Sequence, residues 1–169
     1  ERDTFFERRR EEFVAEAAKV RERIAQMCVD DCDRQLSAAA ETYQRLLQVV
    51  EDPTHMSTGG AHHGLARIFY QWNDLDAAER AFERALTAQS RLEDTVMTYN
   101  NLGNLYLRRD RLDDATRVVE AGLKLYPHPH LYNGLGRVAM RHAEQAQARG
   151  DRAEVAKQVM HARTFLERA

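Results

Sequence analysis

Cysteine, proline and glycine are all scarce in this chain, with 2 Cys, 3 Pro and 8 Gly among 169 residues. So few turn residues exclude a sandwich or barrel assembled from many short strands and leave helices to fill the length. Long apolar runs are missing as well. None reaches half of the roughly 18 to 20 residues that a membrane-crossing helix needs, so no membrane insertion is expected. Charge of one sign is not in excess either: the formal net charge is -2, without the basic surplus that nucleic-acid binding calls for. No secretory signal is visible, and the first residue is Glu1 rather than Met, which leaves an address or an upstream domain open.

Catalytic patterns are also lacking. The histidines His55, His62, His63, His128, His130, His142 and His161 show no zinc-protease spacing. No glycine-rich phosphate loop, nucleophile elbow or kinase motif occurs, and Gly59-Gly60 after Ser57-Thr58 reads as a loop entering a helix. No catalytic residue, metal site or cofactor is therefore assigned. Cys28 and Cys32 stand four apart in a segment that reads as helix, sharing a face in a geometry poor for a disulfide. As free thiols they fit a reducing, cytoplasmic compartment, with a periplasmic one left open.

What is present is a composition of 43% hydrophobic and 31% charged residues, suited to a single folded domain over 1–169. Residues 5 to 29 carry Phe13, Ala17, Val20, Ile24 and Met27 at three- and four-residue steps, which predicts an amphipathic helix. Leu36, Ala39, Ala40, Tyr43, Leu46, Leu47 and Val50 continue the pattern until Asp52-Pro53 ends it, and a loop over Thr54 to Gly60 is expected to follow. Phe5, Phe6 and Phe13 are candidates to cap an open end, to meet an upstream domain, or to pair with a second copy.

Self-similarity begins at residue 61. Leu65-Ala66, Phe69, Ala78, Phe82 and Ala85 are matched at identical offsets by Leu102-Gly103, Tyr106, Ala115, Val119 and Gly122, the second set closing on Pro127. A third set opens at Leu135-Gly136, has Ala139 in place of the aromatic, and resumes seven residues late at Gly150-Asp151 with Val155, Val159 and Ala162. Small residues at fixed places let helix axes approach to about 8–10 Å, while large ones fill the wedge beside them.

These offsets resemble the tetratricopeptide repeat, a helix–turn–helix unit. The resemblance implies an all-α, right-handed superhelical array of antiparallel helix pairs. Its expected parts are a divergent N-terminal pair over 1–53, repeats over 61–92 and 96–129, and an elongated C-terminal repeat over 130–169. The first interval is longer than the family's roughly 34 residues; its three extra residues are expected in the loop after the first repeat, and the seven in the third are expected to lengthen its helices.

In such an array the first helix of each repeat lines a concave groove. The resemblance places there His63, Arg67, Tyr70 and Gln71, then Met97, Asn100, Asn101, Asn104 and Arg108, then His130, Asn133, Arg137, Met140 and Arg141. Stretches 55–73, 95–109 and 121–143 contain no acid, so these helices read as an electropositive wall without Asp or Glu of its own. Asparagine amides both donate and accept, and Asn100, Asn104 and Asn133 suit the backbone of an extended chain. The lysine-based carboxylate clamp of chaperone-binding relatives is not matched: His63 and His130 stand at two lysine positions, Gly134 at the arginine position, and Asn101 alone fits. The expectation is a non-catalytic scaffold that binds an extended, acidic peptide or protein segment through His63, Arg67, Tyr70, Asn100, Asn101, Asn104, Arg108, Asn133, Arg137 and Arg141. A self-assembling homo-oligomeric module and an accessory domain of a larger signalling protein are the alternatives.

Overall fold

The computed structural model describes residues 31–48 and 56–169. The helix expected over 5–29, Cys28, the aromatic candidates Phe5, Phe6 and Phe13, and the stop at Pro53 lie outside the described residues. Two compact units divide the chain, Glu1–Glu41 and Thr42–Ala169. Of the first, residues 31–41 are helical and Cys32 is an exposed free thiol.

The second unit opens with helical residues 42–48 (α1) and continues as six helices: α2 (Met56–Gln71), α3 (Leu75–Thr87), α4 (Leu92–Arg108), α5 (Leu112–Leu125), α6 (Pro129–Ala148) and α7 (Arg152–Leu166). No described helix is long and apolar enough to cross a membrane. Each pair, α2 with α3, α4 with α5 and α6 with α7, forms an antiparallel hairpin, and the hairpins stack as an all-α solenoid in which α4 touches both α2 and α6. Among the described helices α3 and α5 do not meet, because successive second helices are spread apart by the first helices between them.

Buried side chains follow the repeat offsets. Ala66, Ala78, Phe82, Leu102, Tyr106 and Ala115 share one core, and Val96, Val119, Leu131 and Leu135 form the next. Gly103 shows why the small residue is needed: a Cβ there would collide with Val119 Cγ2. Gly64 plays the same part against α1, where a Cβ would run into the Tyr43 ring.

Between the helices of each hairpin one residue takes a left-handed backbone, at Asn73 (φ 62°), Asp110 (φ 58°) and Gly150 (φ 75°). Asn, Asp and Gly tolerate that region best. Just after it, Asp74 accepts from the Ala77 N–H and Asp151 from the Glu154 N–H, both at 3.0 Å, capping α3 and α7.

Three expectations about helix ends meet the structure. The loop over Thr54 to Gly60 is not one from Met56 onward, because α2 already runs through Ser57, Thr58, Gly59 and Gly60. Gly59 belongs there for proximity rather than for turning: its N–H donates to the Gln89 carbonyl at 3.0 Å, where a Cβ would collide with Gln89 and Ser90. The extra residues after the first repeat lengthen the loop by only one, 88–91 against 126–128, and otherwise start α4 early, at Leu92. The seven in the third repeat all go into its first helix: α2 and α4 end six residues beyond Leu65 and Leu102, whereas α6 ends thirteen beyond Leu135, two turns later.

Candidate functional site

Helices α2, α4 and α6 present equivalent positions side by side, so residues at one offset from the repeat leucine form a rung across the three. Two residues beyond the leucine stand Arg67, Asn104 and Arg137. Arg137 Nη1 donates to Asn104 Oδ1 at 2.7 Å, which fixes the guanidinium with a neutral amide and leaves the Asn104 amino group available as a donor. Six residues beyond stand Gln71, Arg108 and Arg141. Arg108 lies 5.1 Å from the Tyr70 ring centroid and donates to Asn73 Oδ1 at 2.7 Å.

Two clefts open on these rungs. Arg67, Tyr70, Gln71, Asn101, Asn104 and Arg137 line one of about 290 Å³, with Phe82 beneath them. Tyr70, Asn104, Leu107, Arg108, Arg137 and Met140 line much of the other, about 480 Å³, which Gly136, Arg141, Glu144 and Leu166 complete. Tyr70, Asn104 and Arg137 line both, so the clefts adjoin. Seven of the ten residues assigned from the sequence therefore come together here: Arg67, Tyr70, Asn101, Asn104, Arg108, Arg137 and Arg141.

The other three line neither cleft. His63 is half-buried and turned to α4, its Nδ1 lying 2.7 Å from Thr98 Oγ1. The Thr98 hydroxyl is already donated to the Asp94 carbonyl, so the imidazole is the donor in that contact. Burial pushes the His63 pKa below its ordinary value, with Arg67 adding to the effect and Asp94 opposing it. Asn100 directs its oxygen towards Gly134 on α6, and Asn133 is exposed outside both clefts. His130 stacks on His128 at 5.1 Å where the chain enters α6.

Charge is distributed differently on the two sides of the stack. Behind the groove, Arg109 pairs with Asp76 and Glu79, and Arg111 pairs with Glu79 at 2.8 Å and Asp114 at 2.6 Å. Hydrogen bonding from Arg109 holds the Asp76 carboxyl below the usual range. Burial beside Glu79 pushes the Tyr106 phenol up to about 12. In the groove, by contrast, Arg67, Arg108 and Arg137 have no carboxylate partner among the described residues.

The wall is not wholly free of acids, which corrects the expectation from the sequence. The helices outrun the acid-free stretches: α4 includes Glu93 and Asp94, and α6 includes Glu144. Arg141 is bound by Glu144 of the same helix at 2.7 Å and by Asp110 of the turn after α4 at 3.3 Å, with its pKa raised chiefly by the Glu144 hydrogen bond. It is an internal ion pair rather than an uncompensated charge. No group of three or more His, Cys, Asp or Glu gathers in a metal-binding arrangement among the described residues.

Leu107, Gly136, Glu144 and Leu166 in the larger cleft and Phe82 in the smaller are lining residues that the sequence does not assign to the groove. Leu107 shares its offset with Tyr70 and Met140, a signal the repeat arithmetic contains, whereas Leu166 arrives from a second helix and nothing local announces it.

Comparison with known proteins agrees with this architecture. Residues 60–91 match the family described as Tetratricopeptide repeat. Among solved structures, the crystal structure of MamA is similar at 22% identity and a TM-score of 0.53, over 78% of this chain and 69% of that one. No curated protein matches.

Proposed function

From a tetratricopeptide-repeat chain whose first helices carry guanidiniums without carboxylate partners, we propose a protein-interaction scaffold that holds an extended acidic segment along α2, α4 and α6. The observation that supports this is the rung Arg67, Asn104 and Arg137. An amide orients one arginine, and no described acid neutralises either. Charge-assisted hydrogen bonds to carboxylates are the strong ones, and arginine presents its donors in a planar fork suited to them. Asn101 and the amino group of Asn104 stand beside that rung, placed to meet the backbone of the same segment. A chemical-shift titration with a glutamate-rich peptide tests the reading. Perturbed amides are expected to cluster on α2, α4 and α6 around the rung, and perturbations confined to α3, α5 and α7 would reject it.

A second reading, self-assembly through the last hairpin, rests on Val159. Once the seven extra residues of α6 are allowed for, it corresponds to Val119, which is 1% exposed beneath α6, yet is itself 47% exposed, with Met160 beside it at 63%. Light scattering tests it: a mass that rises with concentration and returns to that of one chain in Val159→Glu is the expected result, and a constant single-chain mass removes this reading.

A further inference from the structure

The geometry points to a second subsite in the same groove, one that receives a bulky apolar side chain, preferably phenylalanine, from the acidic segment; this rests on the groove reading above. The larger cleft differs from its neighbour in its floor. Leu107, Met140 and Leu166 meet there around Gly136, whereas the smaller cleft is lined chiefly by arginine and amides. Met140 and Leu166 are 45% and 49% exposed, far more than an aliphatic side chain that has found its packing partners in the core. Exposed apolar residues scattered singly carry no message, but two that converge in one hollow form a pocket.

The hollow is built by two features of the sequence. Gly136 supplies no side chain, so Leu166 reaches across from α7 until its Cγ and Cδ2 stand 3.0 Å from where a Cβ would be. The offset that gives Tyr70 in the first repeat gives Leu107 and Met140 in the next two, so an apolar strip runs from the Tyr70 ring into the pocket. Around that strip stand Arg108 and Arg137, and Glu144, the acid on the rim, is held by Arg141. The rim thus complements negative charge while the floor excludes it. A volume of about 480 Å³ lies in the range of sites that enclose a compact ligand group. Phenylalanine is favoured over an aliphatic residue because guanidiniums attract aromatic faces, as Arg108 already does with Tyr70.

A matrix of fluorescent peptides tests this. Each has a central phenylalanine or alanine, flanked by glutamates or by glutamines. Among the glutamate peptides, phenylalanine is expected to bind about tenfold more tightly than alanine, the scale of burying one large apolar side chain. That advantage is expected to disappear in Met140→Ala/Leu166→Ala, two exposed positions, while the preference for glutamate over glutamine remains. In Arg67→Ala/Arg137→Ala the glutamate preference is expected to shrink and the phenylalanine advantage to persist. Equal binding of the phenylalanine and alanine glutamate peptides, or an advantage that survives Met140→Ala/Leu166→Ala, overturns the subsite and leaves the acidic-groove reading standing. Glutamate peptides that bind no better than their glutamine counterparts overturn the reading beneath it, and the subsite with it.

Discussion

Arg108 Nη2 donates to the side-chain oxygen of Asn73 at 2.7 Å, tying the first helix of one repeat to the left-handed turn of the repeat before it. The same offset repeats one unit later, where Arg141 and Gln145 both reach Asp110, at 3.3 and 2.9 Å. The residue that takes the strained conformation is thus also the acceptor for the next repeat. Asn73→Ala is predicted to destabilise by about 1–2 kcal/mol from the left-handed backbone alone, and further from the lost hydrogen bond. Asn73→Gly removes the bond without the backbone cost, so it is predicted to be the milder change. Urea unfolding of both, each with and without Arg108→Ala, checks this: Arg108→Ala is expected to cost less in the Asn73→Gly background than in the wild type.

Gly103 and Val119 define how closely the second hairpin closes. With the added Cβ colliding with Val119 Cγ2, Gly103→Ala is predicted to cost about 1–3 kcal/mol by overpacking. Gly103→Leu is predicted to cost at least as much. Thermal unfolding reads the loss, and Val119→Ala in the same chain is expected to restore part of it. An unchanged midpoint in Gly103→Ala would contradict the packing described.

His63 makes stability depend on pH in one direction. Its folded pKa lies below the ordinary 6.5 because burial and Arg67 disfavour the imidazolium, so the unfolded chain binds the proton more readily. The contribution is complete above 6.5 and is lost as pH falls through that value towards the lower folded pKa. His62, lowered by burial and by Arg84, acts in the same sense. Denaturant midpoints measured from about pH 8 down to about pH 5 are predicted to fall, and to fall less steeply in His63→Gln. A midpoint that rises on acidification over this interval would contradict the assignment.

Much of this architecture is legible in the chain because helix contact forces it. Gly103, Ala66, Ala78, Ala115 and Gly122 alternate with Phe69, Phe82 and Tyr106 at offsets that only a stacked helix pair requires. The limits of the helices are harder to read. Ser57 to Gly60 has no apolar period and two poor helix formers, yet it is helical, and Gly59 is the residue that lets this turn lie close to Gln89. The groove is legible as a set of positions, and seven of its ten assigned residues share the two clefts. Which of their charges are already satisfied is not legible. Arg137 and Arg141 stand only four residues apart, but one meets an amide and the other two carboxylates, Glu144 because α6 runs on that far and Asp110 because the turn after α4 faces it.

Attraction of an acidic segment by the groove guanidiniums is read from the affinity of a glutamate-rich peptide for the wild type and for Arg67→Ala/Arg137→Ala at low and at physiological salt. The wild type is predicted to bind more weakly as salt rises. The variant is predicted to lose about 1.5–3 kcal/mol for each charge-assisted hydrogen bond removed, together with much of the salt dependence. Equal affinity and equal salt dependence in the two proteins would show that these arginines do not hold the segment.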